Sequence, residues 1–122
     1  MDNAEKTLLI NLISNEDANV GKALRVGHKF LAVQWQVVLS LNIEAVKLLD
    51  PTGAERRCAV AQKPYAKMLQ SFLANGGRIL VGAECLTLAG LNAEHLMPGM
   101  ELAKFPLIEE ILSRPEVRTM TW

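Results

Sequence analysis

The chain has 122 residues, 50% of them hydrophobic, which is enough to bury one core and too few for a second. Its 13 Lys and Arg balance 13 Asp and Glu, removing the electrostatic case for a nucleic acid or an anionic membrane surface as partner. With so much apolar surface and so little repulsion between copies, self-association is expected.

The opening stretch MDNAEKTLLINLISNEDANV carries acidic rather than basic residues ahead of its apolar run. That run, Leu8 to Ile13 interrupted by Asn11, is too short for a secretory leader or a membrane span, so a cytoplasmic protein is expected. TLLINLI (7–13) reads as a buried strand. DANVGKALRVGHKFLAVQW (17–35) reads as a helix, with Val20, Leu24, Leu31 and Trp35 broadly on one side. QVVLSLN (36–42) is a second strand, followed by a short helix, IEAVKLL (43–49). Residues 50–61, DPTGAERRCAVA, have neither period, and Asp50-Pro51 with Gly53 marks a loop long enough to act as a flap. KPYAKMLQSFLANGG (63–77) is a helix with Pro64 in its first turn and Gly76-Gly77 as its stop. The strand RILVG (78–82), a helical turn over 84–89, a short strand GMELA (99–103), the helix KFPLIEEILS (104–113) and a last strand VRTMTW (117–122) complete the chain.

Such alternation predicts a three-layer α/β/α fold in one domain, around a mostly parallel five-stranded sheet, because parallel neighbours need a crossover and a helix usually supplies it. Folds of this class place their sites at the carboxyl ends of the strands. On that edge fall Asn11 to Asn15, Ser40 to Asn42, and Gly82 to Cys85. Asn11, Ser14 and Asn15 form a candidate polar cradle without the glycine pattern of a pyrophosphate loop, and Ser14 or Asn15 is equally suited to cap the first helix.

Cys85 lies where RILVG turns into a helix. Backbone N–H groups at a helix start favour a thiolate, and Gly82 and Ala83 leave the approach uncrowded. Glu84 opposes with a like charge. Packing inward as a small hydrophobe is the competing role for Cys85, since unpaired cysteines are often buried. The 2 Cys and 2 His of the chain show no zinc spacing, so no metal is expected, and the two thiols suit a reducing compartment. Met68, Leu69, Phe72 and Leu73 fall at helical spacing as core. Met97, Met100, Met120 and Trp122 are placed at an oligomer seam.

The segment QKPYAKMLQSFLANGGRILVGAECLTLAGLNAEHLMPGMELA resembles the DsrE/DsrF-like sulfur-relay family. The likeness runs through a helix, a G-x-x-[IV]-x-V strand, a cysteine ahead of a glycine (Cys85, Gly90), and an L-x-P-G-x-E segment (Leu96, Pro98, Gly99, Glu101). The opening LLINLISNED and closing VRTMTW resemble that family's first and last strands. The resemblance implies a persulfide carrier or sulfurtransferase: Cys85 takes sulfane sulfur from a donor protein and passes it to an acceptor protein's thiol, with no cofactor. It also implies a homotrimer or homohexamer. Many members have a Cys-x-x-Cys pair at the strand end. Gly82 stands at the first position here, which implies a single-cysteine carrier rather than an intramolecular redox couple. Asn11, Ser14, Gly82, Ala83 and Glu84 are the binding candidates around Cys85. Cys58, next to Arg57 and Arg56, is either a flap thiol able to resolve the persulfide or an unremarkable loop cysteine that reacts in a test tube without being the physiological site. His95 is either a proton partner for Cys85 or a surface residue, and His28 is a helix-face residue. The alternative is a non-catalytic assembly or small-ligand-binding subunit on the same fold with a structural Cys85.

Overall fold

The structure, a computed structural model, describes residues 3–122. A five-stranded sheet is built from β1 (Thr7–Leu12), β2 (Gln36–Leu41), β5 (Arg78–Gly82), β6 (Glu101–Ala103) and β7 (Val117–Thr121) in the order β6-β5-β2-β1-β7. Every neighbouring pair in it is parallel. The helices are α1 (Asp17–Ala32), α2 (Tyr65–Ala74), α3 (Ala83–Leu88) and α4 (Phe105–Leu112). The expected α/β/α architecture is thus present, and the sheet is wholly rather than mostly parallel.

Strand side chains alternate between two apolar layers, as the pleat requires. Leu8, Ile10, Leu39, Leu41, Ile79 and Val81 face the larger core, which α1 closes with Val20 and Leu24 and α2 with Met68, Leu69 and Phe72. The opposite face carries Leu9, Val38 and Leu80 and is covered by Ile111 of α4, with Leu107 and Ile108 packed alongside. One layer therefore has two long helices and the other a single eight-residue helix.

Several expected boundaries move, each for a local reason. The first helix ends at Ala32 rather than at residue 35, because Gln34 turns to φ 73°. Trp35 is consequently off the helix, edge-on to Phe30 at 4.9 Å with Lys6 above its ring. Residues 43–49 form the expected short helix, wound as a 3-10 helix. The segment expected as an irregular flap, 50–61, holds β3 (Arg57–Cys58), which forms a two-stranded antiparallel ribbon with β4 (Lys63–Pro64), at the expected start of the next helix. Pro64 thereby precedes α2 instead of lying in its first turn. Met100 is buried in the larger core, and Met97 and Trp122 pack against it, so of the four residues assigned to an oligomer seam only Met120 is exposed.

The loop ahead of the ribbon is pinned to the start of α1. Arg56 Nη2 donates to Asn15 O at 2.7 Å and pairs with Asp17 Oδ1 at 2.6 Å, while its guanidinium lies over the Tyr65 ring. Tyr65 Oη donates to Asp17 Oδ1 at 3.0 Å. The Arg56 hydrogen bond, then that of Tyr65, holds the Asp17 carboxyl below its usual range. Burial, reinforced by the bond to Asp17, pushes the Tyr65 phenol up to about 12. A phenol that stays neutral when folded stabilises the fold fully below its unfolded value, roughly 10, and that contribution fades as pH rises toward the folded value. Between those limits the unfolding free energy should fall on the order of 1 kcal/mol per pH unit faster in wild type than in Tyr65→Phe. Tyr65 is the chain's 1 tyrosine, so tyrosinate absorbance follows it directly. The native titration should lie about two units above that in urea, and coincident titrations would contradict the burial argument.

Candidate functional site

The two apolar layers leave polar side chains at the carboxyl edge of the sheet, where β1, β2 and β5 end beside one another. Asn42, the first residue past β2, organises that edge. Its backbone N–H donates to Leu12 O at 3.0 Å, continuing the β1–β2 ladder. Its side-chain Nδ2 donates to Asn11 Oδ1 at 2.9 Å and to Ser40 Oγ at 2.8 Å. Its Oδ1 faces Gly82, where an added Cβ would come within 2.7 Å of it. The same Cβ would meet Cys85 Sγ at 3.2 Å. Gly82 is thus a glycine because of close approach, not because of its backbone angles.

Cys85, in the first turn of α3, is half-buried, and its Sγ accepts the backbone N–H of Ile43 at 3.1 Å. The N–H donor expected from the helix start therefore comes from the turn after β2. Ile43 has φ 55°, a left-handed conformation that a β-branched residue rarely adopts. Neighbouring bonds hold it there: Glu44 N–H donates to Ile13 O and Ala45 N–H to Asn42 O. Strain of this kind costs roughly 1–2 kcal/mol and persists only where the surroundings over-determine it. Its effect here is to aim one N–H at the sulfur. Sequence reasoning placed Ser40 and Asn42 on this edge without a role and missed Ile43, whose contribution is a backbone group with no side-chain signature.

The other candidates divide. Ala83 and Glu84 are exposed on α3 beside Cys85, and Glu84 makes no hydrogen bond or ion pair among the described residues. Ser14 Oγ accepts from Glu16 N–H and Asn19 Nδ2, both at 3.0 Å, so it braces the turn ahead of α1 rather than sharing a cradle with Asn11, and the N-cap itself is Glu16, without a side-chain cap bond. His95 Nδ1 accepts from Asn92 N–H at 3.1 Å, closing a capping box around residues 92–95, so that nitrogen is committed to its own turn. His28 Nε2 lies 3.1 Å from Met68 O with its ring edge-on to Phe72, a packed bridge between α1 and α2. Cys58 corrects both expectations for it: the thiol is only 2% exposed, in the core, with Sγ accepting from Ala61 N–H. Gly21 of α1 makes room for it, since a Cβ there would lie 3.2 Å from Sγ. Glu101, noted in the sequence as part of a motif, holds the edge strand: Arg78 grips its carboxylate at 2.6 and 2.9 Å, and these bonds keep it below its ordinary range.

Among the described residues no group of three or more His, Cys, Asp or Glu could hold a metal ion. Nor is any helix among them long and apolar enough to cross a membrane.

These features define a parallel α/β protein with a half-buried thiol at the carboxyl edge of its central strands. Solved structures share the fold, among them two at low identity to this chain. A protein of unknown function, MTH1491 from Methanobacterium thermoautotrophicum, superimposes with a TM-score of 0.72 at 11% identity, over 96% of this chain and 99% of that one. The ychN protein from E. coli gives a TM-score of 0.67 at 18% identity, over 94% of this chain and 98% of that one. At such identities the likeness shows the fold alone. No protein-family model matches the chain, and no curated protein matches it.

Ile43 is 58% exposed, so its side chain adds little burial while its backbone carries the strain. Ile43→Gly should therefore leave the urea unfolding free energy unchanged or raise it by up to about 1 kcal/mol, strain relief slightly outweighing the looser unfolded chain. A loss well beyond about 1 kcal/mol would show that the left-handed turn is not strained.

Proposed function

We propose that the protein is a sulfur carrier of the DsrE-like kind, holding sulfane sulfur as a persulfide on Cys85. The observation that carries this reading is the Ile43 N–H directed at Cys85 Sγ at the carboxyl edge, on a thiol that is half-buried rather than enclosed. In the loading step the Cys85 thiolate attacks the outer sulfur of a donor persulfide R–S–SH. A Cys85 Sγ–S bond forms, the donor S–S bond breaks, and R–S⁻ leaves. In discharge an acceptor thiolate attacks the outer sulfur and Cys85 leaves as thiolate. The sulfane sulfur moves without net oxidation, so the reaction needs neither cofactor nor metal. A fixed N–H at the sulfur that gains negative charge on leaving stabilises discharge as an oxyanion-hole donor stabilises its oxygen. The partial burial shelters the persulfide, and the missing side chain of Gly82 is what lets Cys85 Sγ and Asn42 Oδ1 both pack against the end of β5. Donor and acceptor are sulfur-relay proteins in this reading, and the setting is the cytoplasm.

Incubation with a polysulfide followed by intact-mass measurement tests the assignment. Wild type and Cys58→Ser should gain sulfur-sized increments, and Cys85→Ser should gain none. Equal loading of all three removes Cys85 from the reaction, and a native Cys85 that takes up no sulfur favours the assembly-subunit alternative.

Assembly belongs to the same proposal. Leu88 and Phe105 are 89% and 79% exposed, on α3 and α4, large apolar side chains that an interface between copies would cover. A homotrimer or a hexamer of trimers is expected by light scattering, and a stable monomer at micromolar concentration would reject it.

A further inference from the structure

The zero net charge of the chain conceals an uneven distribution. No Asp or Glu occurs between residues 18 and 43 or between 56 and 83, and these stretches supply α1 beyond its first residue, the β3–β4 ribbon and α2. They bring together Lys22, Arg25, Lys29, Arg57, Lys63 and Lys67, none of which pairs with a carboxylate among the described residues. Cations gathered without counter-charges raise the positive potential over one face, although the molecule as a whole is neutral.

Where α1 meets the ribbon and α2, that face is grooved. A depression of about 390 Å³ lies between α1 and the ribbon, with Arg25 and Arg57 at its rim. The next, of about 320 Å³, has Arg25, Lys29 and Lys63 around a floor that includes Ala61 and Met68. A third, of about 350 Å³, reaches Ala32 and Asn75. Arg25 borders the first two and His28 the last two, so the depressions follow one another along α1. Asp17, the one carboxylate of the groove among the described residues, is already held by Arg56 and Tyr65. From Asp17 to Ala32 the groove follows about 22 Å of helix, the length of about seven residues of extended chain. One turn of α1 places Arg25 and Lys29 about 6 Å apart along the axis, close to the spacing of alternate side chains on one face of an extended strand.

We propose that this groove docks a short, extended, acidic segment of a partner protein, its carboxylates at alternate positions meeting Arg57, Arg25, Lys63 and Lys29. A segment fits better than a single small anion because the cations are strung along the groove instead of converging on one point. Nucleic acid fits less well, since bases need exposed aromatic faces to stack on. Tyr65, the only Phe, Tyr or Trp in the lining among the described residues, is 3% exposed. A longer polyanion would also run onto the acidic remainder of the surface. Val60, 71% exposed at the rim, gives the uncharged positions of the segment an apolar contact. Docking of this kind involves no sulfur chemistry and does not depend on Cys85.

The test titrates acetyl-EAEAEAE-amide into the full chain while backbone amide NMR signals are followed. Shifts at Arg25, Lys29, Arg57 and Lys63 should saturate. Affinity should drop severalfold between about 0.01 and 0.15 M salt, as the screening length shortens from roughly 30 to 8 Å. The uncharged acetyl-QAQAQAQ-amide should leave the same signals in place. Arg25→Gln and Lys63→Gln should each weaken the acidic peptide about two- to fivefold, whereas Lys104→Gln, which removes a cation outside the groove, should not. The proposal is overturned by unsaturable or absent shifts at these residues, by indifference to salt, or by equal weakening in Lys104→Gln. Tighter binding of a seven-nucleotide thymidine DNA overturns it in favour of nucleic acid, and displacement of the peptide by equimolar inorganic phosphate in favour of a small-anion site. A smaller oligomer in Arg25→Gln or Lys63→Gln by light scattering gives the groove to a second copy and overturns it likewise.

Discussion

A parallel sheet with helices on both faces has no solvent side, and this constraint shapes the rest of the molecule. Runs such as Leu8-Leu9-Ile10, Val37-Val38-Leu39 and Ile79-Leu80-Val81 must be apolar at successive positions, because each residue meets one core or the other. Parallel strands also all end on the same side. The polar groups excluded from the strand middles therefore gather at one edge, where Asn11, Ser40 and Asn42 form a hydrogen-bonded row. In this fold the place for chemistry follows from the requirement that the sheet be dry.

Within that row the decisive distances are backbone distances. Asn42 can approach β5 only because residue 82 lacks a side chain, and Cys85 can receive a main-chain donor only because Ile43 is turned into an unfavourable conformation. Each compromise is local and is offset by the two cores. The larger core also absorbs the second thiol, with Gly21 and Cys58 fitting as a missing and a small side chain.

Much of the architecture was legible in the sequence because strand and helix are separated there by period and by Gly, Pro and Asn punctuation. The strands of the five-stranded sheet fall within a residue or two of expectation, as do the first residues of all four α-helices. What was illegible has a physical reason in each case. A ribbon of two-residue strands carries no period to read. Cys58 looked like a loop thiol because the segment holding it has no period, whereas its burial depends on a glycine in a distant helix. Met100 looked like interface because methionines are common there, but the turn ahead of β6 puts it in the larger core. Cys85 and Gly82, by contrast, stood out because a strand-to-helix junction with a glycine and a thiol is visible in a single line of sequence.

The unequal enclosure of the two cysteines gives the molecule a built-in clock for its own opening. A reagent reaching the half-buried Cys85 samples the native state, whereas one reaching Cys58 must wait until the short ribbon lifts from Gly21 of α1. The interval between the first and second modification on a single chain therefore measures how often that corner breathes, with no probe attached and no residue changed. It also means that a bond between the two sulfurs of one chain cannot close while the ribbon is seated. Chemical ageing at Cys58 is then governed by the frequency of a local motion, whereas Cys85 ages in the native state.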